Sequence, residues 1–105
     1  MNIVVCGLTS DDIARLKAKH GVLFQVDITD GKHVYSAIFK EPDMSILGAA
    51  SALGKTDEIK ASMVLYENCL IAADEAIKSR DMLKMQVVAA IGERMTALTK
   101  TVKNL

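Results

Sequence analysis

A chain of 105 residues, half of them hydrophobic, is long enough to bury one core and too short to divide into two, so it reads as a single domain over residues 1–105. Thirteen basic residues cancel thirteen acidic ones, and Phe24, Phe39, Tyr35 and Tyr66 are the whole aromatic supply. That balance excludes the basic, stacking surface by which nucleic acid is held. Cys6 and Cys69 form no metal-ligand spacing and no disulfide framework, which points to reduced thiols.

The opening residues contain no basic leader, their apolar run is short, and Val5 is bulky for the position before a lipidated cysteine. No apolar stretch reaches the ~20 residues that a bilayer span takes. The chain is therefore expected to stay where it is made, with no membrane partner. Residues 3–6 are a candidate strand. Thr9 and Asp12 then have the spacing of a capping box, with Leu8 and Ile13 placed as a hydrophobic staple. Asp11 and Asp12 open a helix over Ser10–His20 and Lys17 and Lys19 close it, which suits the helix dipole. Ile13 and Leu16 form its buried stripe, and Gly21 stops it.

Asp30-Gly31 is a two-residue turn signal. Folding about it pairs Thr29 with Lys32, Ile28 with His33, Val26 with Tyr35, Phe24 with Ala37 and Val22 with Phe39. One face then collects Val22, Phe24, Val26, Ile28, Tyr35 and Phe39, while Gln25, Asp27 and Ser36 fall on the other. After Pro42 the pattern turns helical. Asp43 caps a helix running to Leu53, with Ile46, Leu47, Ala50 and Leu53 on one face and Gly54 beyond it. Thr56 is placed to cap the next, opened by Asp57 and Glu58, with Ile59, Met63, Tyr66 and Leu70 at helical spacing. A break falls near Asp74 or Ser79. Asp81 then caps a long final helix in which Val88, Ile91, Met95, Leu98, Val102 and Leu105 alternate three and four apart. The expected fold class is α+β: an N-terminal helix and β-hairpin, with residues 3–6 as a candidate third strand, followed by a mainly helical C-terminal half.

Little in the chain suggests catalysis. Residues 49–56 satisfy a loose phosphate-loop pattern ending Gly54-Lys55-Thr56, but the stretch is alanine-rich and no hydrophobic strand precedes it. Asp11/Asp12 and Asp57/Glu58 sit at helix starts, where carboxylates serve the dipole. His20 and His33 have no ligand or nucleophile at a recognisable spacing. Cys69 lies in the apolar run 65–72, where a thiol behaves as a small hydrophobe. No catalytic residue, metal or cofactor is expected. Met63, Met82, Met85 and Met95 read first as core filler, and methionine also suits adaptable binding surfaces. Beyond Glu93 the chain is basic, with Arg94, Lys100 and Lys103, and it carries its apolar stripe on to Leu105. Met95, Leu98, Val102 and Leu105 are therefore the candidate partner-binding residues, docking a helix of a second copy or of another protein.

The order of these elements carries a resemblance. A capped helix ends Leu-Lys-Ala-Lys-His-Gly over residues 16–21, and the hairpin ends Phe39-Lys40-Glu41-Pro42. Lys55-Thr56-Asp57 and Leu65-Tyr66-Glu67-Asn68-Cys69-Leu70 follow, ahead of Asp74-Glu75. Over residues 8–80 this resembles the small tail assembly chaperones of long-tailed bacteriophages and prophages, with Lys40 where those proteins often have arginine. The resemblance implies a non-enzymatic protein of the bacterial host cytoplasm. Its partners would be the helical tape-measure protein, which it keeps soluble and extended, the tail-tube protein, and a further copy of itself in a homo-oligomer. The alternative is a minor virion structural component or a small oligomeric adaptor.

Overall fold

The computed structural model describes residues 2–105. Its first strand, β1 (Ile3–Val5), does not join the hairpin as expected but pairs antiparallel with β2 (Leu8–Thr9) as a separate two-stranded ribbon. Cys6 and Gly7 make the turn, both at positive φ (53° and 74°), as the tightest right-twisted hairpin loops require. The first helix, α1 (Ser10–His20), has the expected bounds. Thr9 Oγ1 accepts from the Asp12 N–H at 3.2 Å, and the Asp12 carboxylate accepts from the Thr9 N–H at 2.9 Å. These bonds, with Arg15 alongside, hold the Asp12 carboxyl below the usual carboxylate range. Gly21, at φ 83°, ends the helix by donating its N–H to the Lys17 carbonyl at 2.8 Å.

The hairpin forms from β3 (Leu23–Asp30) and β4 (His33–Lys40). Its register differs from the expected one by two residues: Asp30 opposes His33, Ile28 opposes Tyr35, Val26 opposes Ala37 and Phe24 opposes Phe39. The loop is Gly31-Lys32, because glycine takes the first loop position at φ 62° and so moves the turn one residue along. An even shift leaves every side chain on its face. Phe24, Val26, Ile28, Tyr35, Ala37 and Phe39 pack against the helices as expected, whereas Val22 lies outside the strand and is exposed. The other face differs from expectation. Ser36 and Ile38 are buried there, where the Cys6 thiol donates to the Ser36 carbonyl at 3.2 Å and α1 presents Ile13 and Lys17.

Asp43 caps α2 (Met44–Gly54) by accepting from the Ile46 N–H at 2.9 Å. The next helix, α3 (Glu58–Cys69), is capped by Asp57 rather than Thr56. Asp57 accepts from the Lys60 N–H at 3.1 Å, and the Thr56 hydroxyl is spent on the Leu53 carbonyl at 3.2 Å. The third strand of the main sheet is β5 (Leu70–Ala73), which the helical spacing had placed inside α3. It pairs antiparallel with β4, so the sheet order is β3-β4-β5. A short helix, α4 (Glu75–Ser79), and the last helix, α5 (Asp81–Thr96), complete the fold. Asp81 is the first residue of α5 and makes no cap bond. The helix stops at Thr96 instead of running to Leu105. Thr99, Thr101, Val102 and Asn104 are weak helix formers, and Leu98, Val102 and Leu105 stay largely exposed.

The α+β architecture is the expected one, with the core between one sheet face and α3, α4 and α5. Phe39 lies at its centre, fully buried, stacked on Phe24 (5.5 Å between ring centroids) and edge-on to Tyr66 (5.7 Å). Ile77, Leu83, Val87, Val88 and Ile91 close over them. Arg94 ties the end of α5 to the sheet, bonding Glu41 at 3.3 Å and lying 5.5 Å from the Phe24 ring centre. No helix among the described residues is long and apolar enough to cross a membrane.

Candidate partner-binding site

A concavity of about 500 Å³ runs between the start of α3 and the middle of α5. Its floor includes the small residues Gly54, Ala61, Ser62 and Gly92. A Cβ on Gly92 would lie 3.4 Å from the Ser62 hydroxyl, and one on Gly54 3.6 Å from the Ala61 methyl, both at ordinary contact distance. Ala89 continues the floor along α5. Ile59 and Met85 rise as apolar walls, both exposed, and Glu58 and Glu93 add two carboxylates to the lining. Small floor, flexible apolar walls and a polar rim are the features of a groove that takes an amphipathic helix.

The residues chosen from sequence are not brought together here. Met95, half-buried on the core, and Leu98 instead line one separate depression together with Phe24, Pro42 and Leu47. Val102 and Leu105 are fully exposed beyond the end of α5. They do not form the expected helical seam. The groove is not legible in the sequence because Ile59 shares helical spacing with Met63, Tyr66 and Leu70, whereas the buried residues of α3 are Leu65, Tyr66 and Cys69 and Ile59 is 58% exposed. One signal was available. Gly54, Ala61, Ala89 and Gly92 are small residues at helix positions where larger ones would ordinarily pack. The methionines divide likewise: Met63 and Met95 support the core, while Met82 and Met85 face outward.

A second polar cluster joins the ribbon to the sheet. Asp74 accepts from the Ser36 N–H at 2.7 Å, and the Ser36 hydroxyl donates to Asp27 at 2.7 Å. Burial, together with the Asp74 charge, pushes the Cys6 thiol up to about 11. Burial also raises the Cys69 thiol. Neither is poised as a thiolate nucleophile. His33 stacks on Tyr35. Among the described residues no group of acidic, histidine or cysteine side chains could hold a metal ion.

No protein-family model matches this chain, and no curated protein matches it. One solved structure, that of the uncharacterised protein rbstp2171 from Bacillus stearothermophilus, superposes with a TM-score of 0.56 over 88% of this chain and 99% of that one. At 17% identity the likeness speaks for the fold alone.

The phosphate-loop pattern lies in the last turns of α2 and the α2–α3 connection. A phosphate cradle needs a glycine-rich loop between a strand and a helix, and this stretch is helix followed by a cap. Lys55→Ala should therefore leave the melting temperature within about 1 °C and change no binding. Micromolar ATP binding that vanishes in this variant would contradict that expectation.

Proposed function

We propose that this chain is a non-enzymatic tail assembly chaperone. It works in the bacterial host cytoplasm and covers an amphipathic helix of the tape-measure protein in the α3–α5 groove until tail-tube subunits enclose it. The observation that carries this reading is the groove itself: an apolar trough between α3 and α5, floored by Gly92, Ala89 and Ala61. A long helical client displays an apolar stripe that aggregates if left uncovered, and a reversible trough with methionine in its wall suits many similar turns of such a helix. The two perturbed thiols lack the depressed pKa of a nucleophile, which accords with a binding role.

The alternative, a minor virion component or small oligomeric adaptor, draws support from the exposed Leu98, Val102 and Leu105. Two experiments separate the readings. A synthetic helix with leucines at i, i+3, i+4 and i+7 and lysines opposite should bind, and Ala89→Arg, exposed on the groove floor, should weaken that binding at least tenfold. Equal binding by this variant would move the site elsewhere. A chaperone should also be absent from purified tails, whereas a fixed stoichiometry in particles would favour the alternative.

A further inference from the structure

No residue from 2 to 21 is buried. The ribbon and α1 lie on the second face of the main sheet, and none of their side chains joins the hydrophobic cluster that the other helices build on the first. The bonds that shape this unit close on itself. Ile3 pairs with Thr9, Thr9 and Asp12 exchange the capping bonds, and Gly21 returns to Lys17. Among the described residues, the hydrogen bond that joins the unit to the sheet is the one from the Cys6 thiol to the Ser36 carbonyl. A depression of about 170 Å³ runs along the joint, lined by Ile13 and Lys17 from α1 and by Leu23, Gln25 and Ile38 from the sheet. We propose that residues 3–20 form a strap, which lifts as one unit from the second face of the sheet and unravels while the rest of the domain stays folded.

A segment opens on its own when the contacts that hold it are few beside those that hold the core. Here they are a weak, sulfur-donated bond and Ile13, half-buried and lining the same depression as Ile38. The sheet does not need the strap for its own ladder, since β4 is paired on one side by β3 and on the other by β5. Gly21 supplies the hinge, at φ 83° and ψ −136°, a region open to glycine and closed to other residues. The next residue already belongs to the hairpin, because the Val22 carbonyl accepts from the Glu41 N–H at 3.3 Å. Rotation at Gly21 therefore frees the strap without disturbing β3. An eleven-residue helix is not stable alone in water, so α1 unravels when it lifts. Opening uncovers Ile38 and Ser36, 4% and 7% exposed in the closed form. It also removes the burial that holds the Cys6 thiol up. The strap gates one face of the sheet and is independent of the α3–α5 groove.

Hydrogen exchange and thiol labelling of the full native chain test the proposal. Amides of β1, β2 and α1 should exchange together, about a hundredfold or more faster than the slowest amides of β4 and α5. Their rates should respond little to urea below the unfolding transition, because opening exposes little surface. Cys6 should alkylate with iodoacetamide through the same opening, whereas Cys69, 1% exposed in the core, should wait for global unfolding. Two variants separate the strap from the core. Ile13→Ser should speed strap exchange and Cys6 alkylation about tenfold, since it weakens the closed form alone. Val87→Ala, at a fully buried core position, should speed Cys69 alkylation and the slowest α5 amides about tenfold while leaving strap exchange and Cys6 unchanged, because the closed and open forms share that core. Strap amides as slow as those of β4 and α5, or a Cys6 that labels no sooner than Cys69, would overturn the proposal. So would an α1 that exchanges while the ribbon and Cys6 stay protected, an Ile13→Ser chain with an unchanged Cys6 rate, or a Val87→Ala chain that speeds both groups equally.

Discussion

Phe39→Ala should cost about 3–5 kcal/mol of stability, and at roughly 4–8 °C per kcal/mol the melting temperature should fall by about 12 °C or more. The ring is fully buried and meets Phe24 and Tyr66 at favourable stacked and edge-on geometries, each worth ~0.5–1.5 kcal/mol beyond burial. Truncation leaves a cavity bounded by β3, α3 and α5, three elements held by their own hydrogen bonds and unable to collapse into it. Phe24→Ala should cost less, because that ring is only partly buried and its outer side meets the Arg94 guanidinium. Gln25, beside it in sequence, points to the other face and is exposed, so Gln25→Ala should be nearly neutral. Thermal unfolding of the three variants checks the order. Equal shifts for Phe39→Ala and Gln25→Ala would mean that the sheet faces are assigned wrongly.

Asp74→Ala should cost about 1–3 kcal/mol, since it strands a buried backbone donor. The Asp74 carboxylate accepts from the Ser36 N–H at 2.7 Å, and the Asp74 N–H returns a bond to the Ser36 carbonyl at 2.9 Å. Its side chain therefore joins the sheet to the start of α4 instead of capping that helix. Asp74→Asn keeps an acceptor at the same place and should recover much of the loss. The Asn variant also removes a negative charge near Cys6, one of the causes that raise that thiol, while burial, the larger cause, remains. Cys6 should then alkylate faster with iodoacetamide at pH 9 than in the native protein, yet more slowly than a free thiol. Stability loss without faster alkylation would show that Asp74 acts on Ser36 alone.

How much of this was legible beforehand differs from element to element. The first helix was readable to the residue because Thr9, Asp12 and Gly21 act locally, through bonds three or four positions apart. The hairpin faces survived a register error because side-chain alternation has period two, and the loop moved by one residue only because glycine is needed at its first position. Leu70–Ala73 could not be read as a strand. Its alanines favour helix, and what makes it a strand is the open edge of β4, a partner some thirty residues away in sequence. The Cys6-Gly7 turn was missed because cysteine rarely adopts positive φ. The overlong last helix came from continuing a three-four spacing past the point where a core exists to bury it. The groove was invisible for the converse reason. Small residues on three separate helices become a floor only once those helices pack.

The central claim is that the α3–α5 groove receives an amphipathic helix, and chemical-shift mapping of isotope-labelled protein tests it most directly. The probe is the synthetic leucine–lysine helix, titrated to saturation. The expected result is a set of saturable shifts concentrated on Ile59, Ala61, Ser62, Met85, Ala89 and Gly92, with β3 and the β1–β2 ribbon unchanged. Shifts confined to the ribbon or to the edge of β3, or none at all up to about 1 mM of probe, the weak limit of specific association, would contradict it.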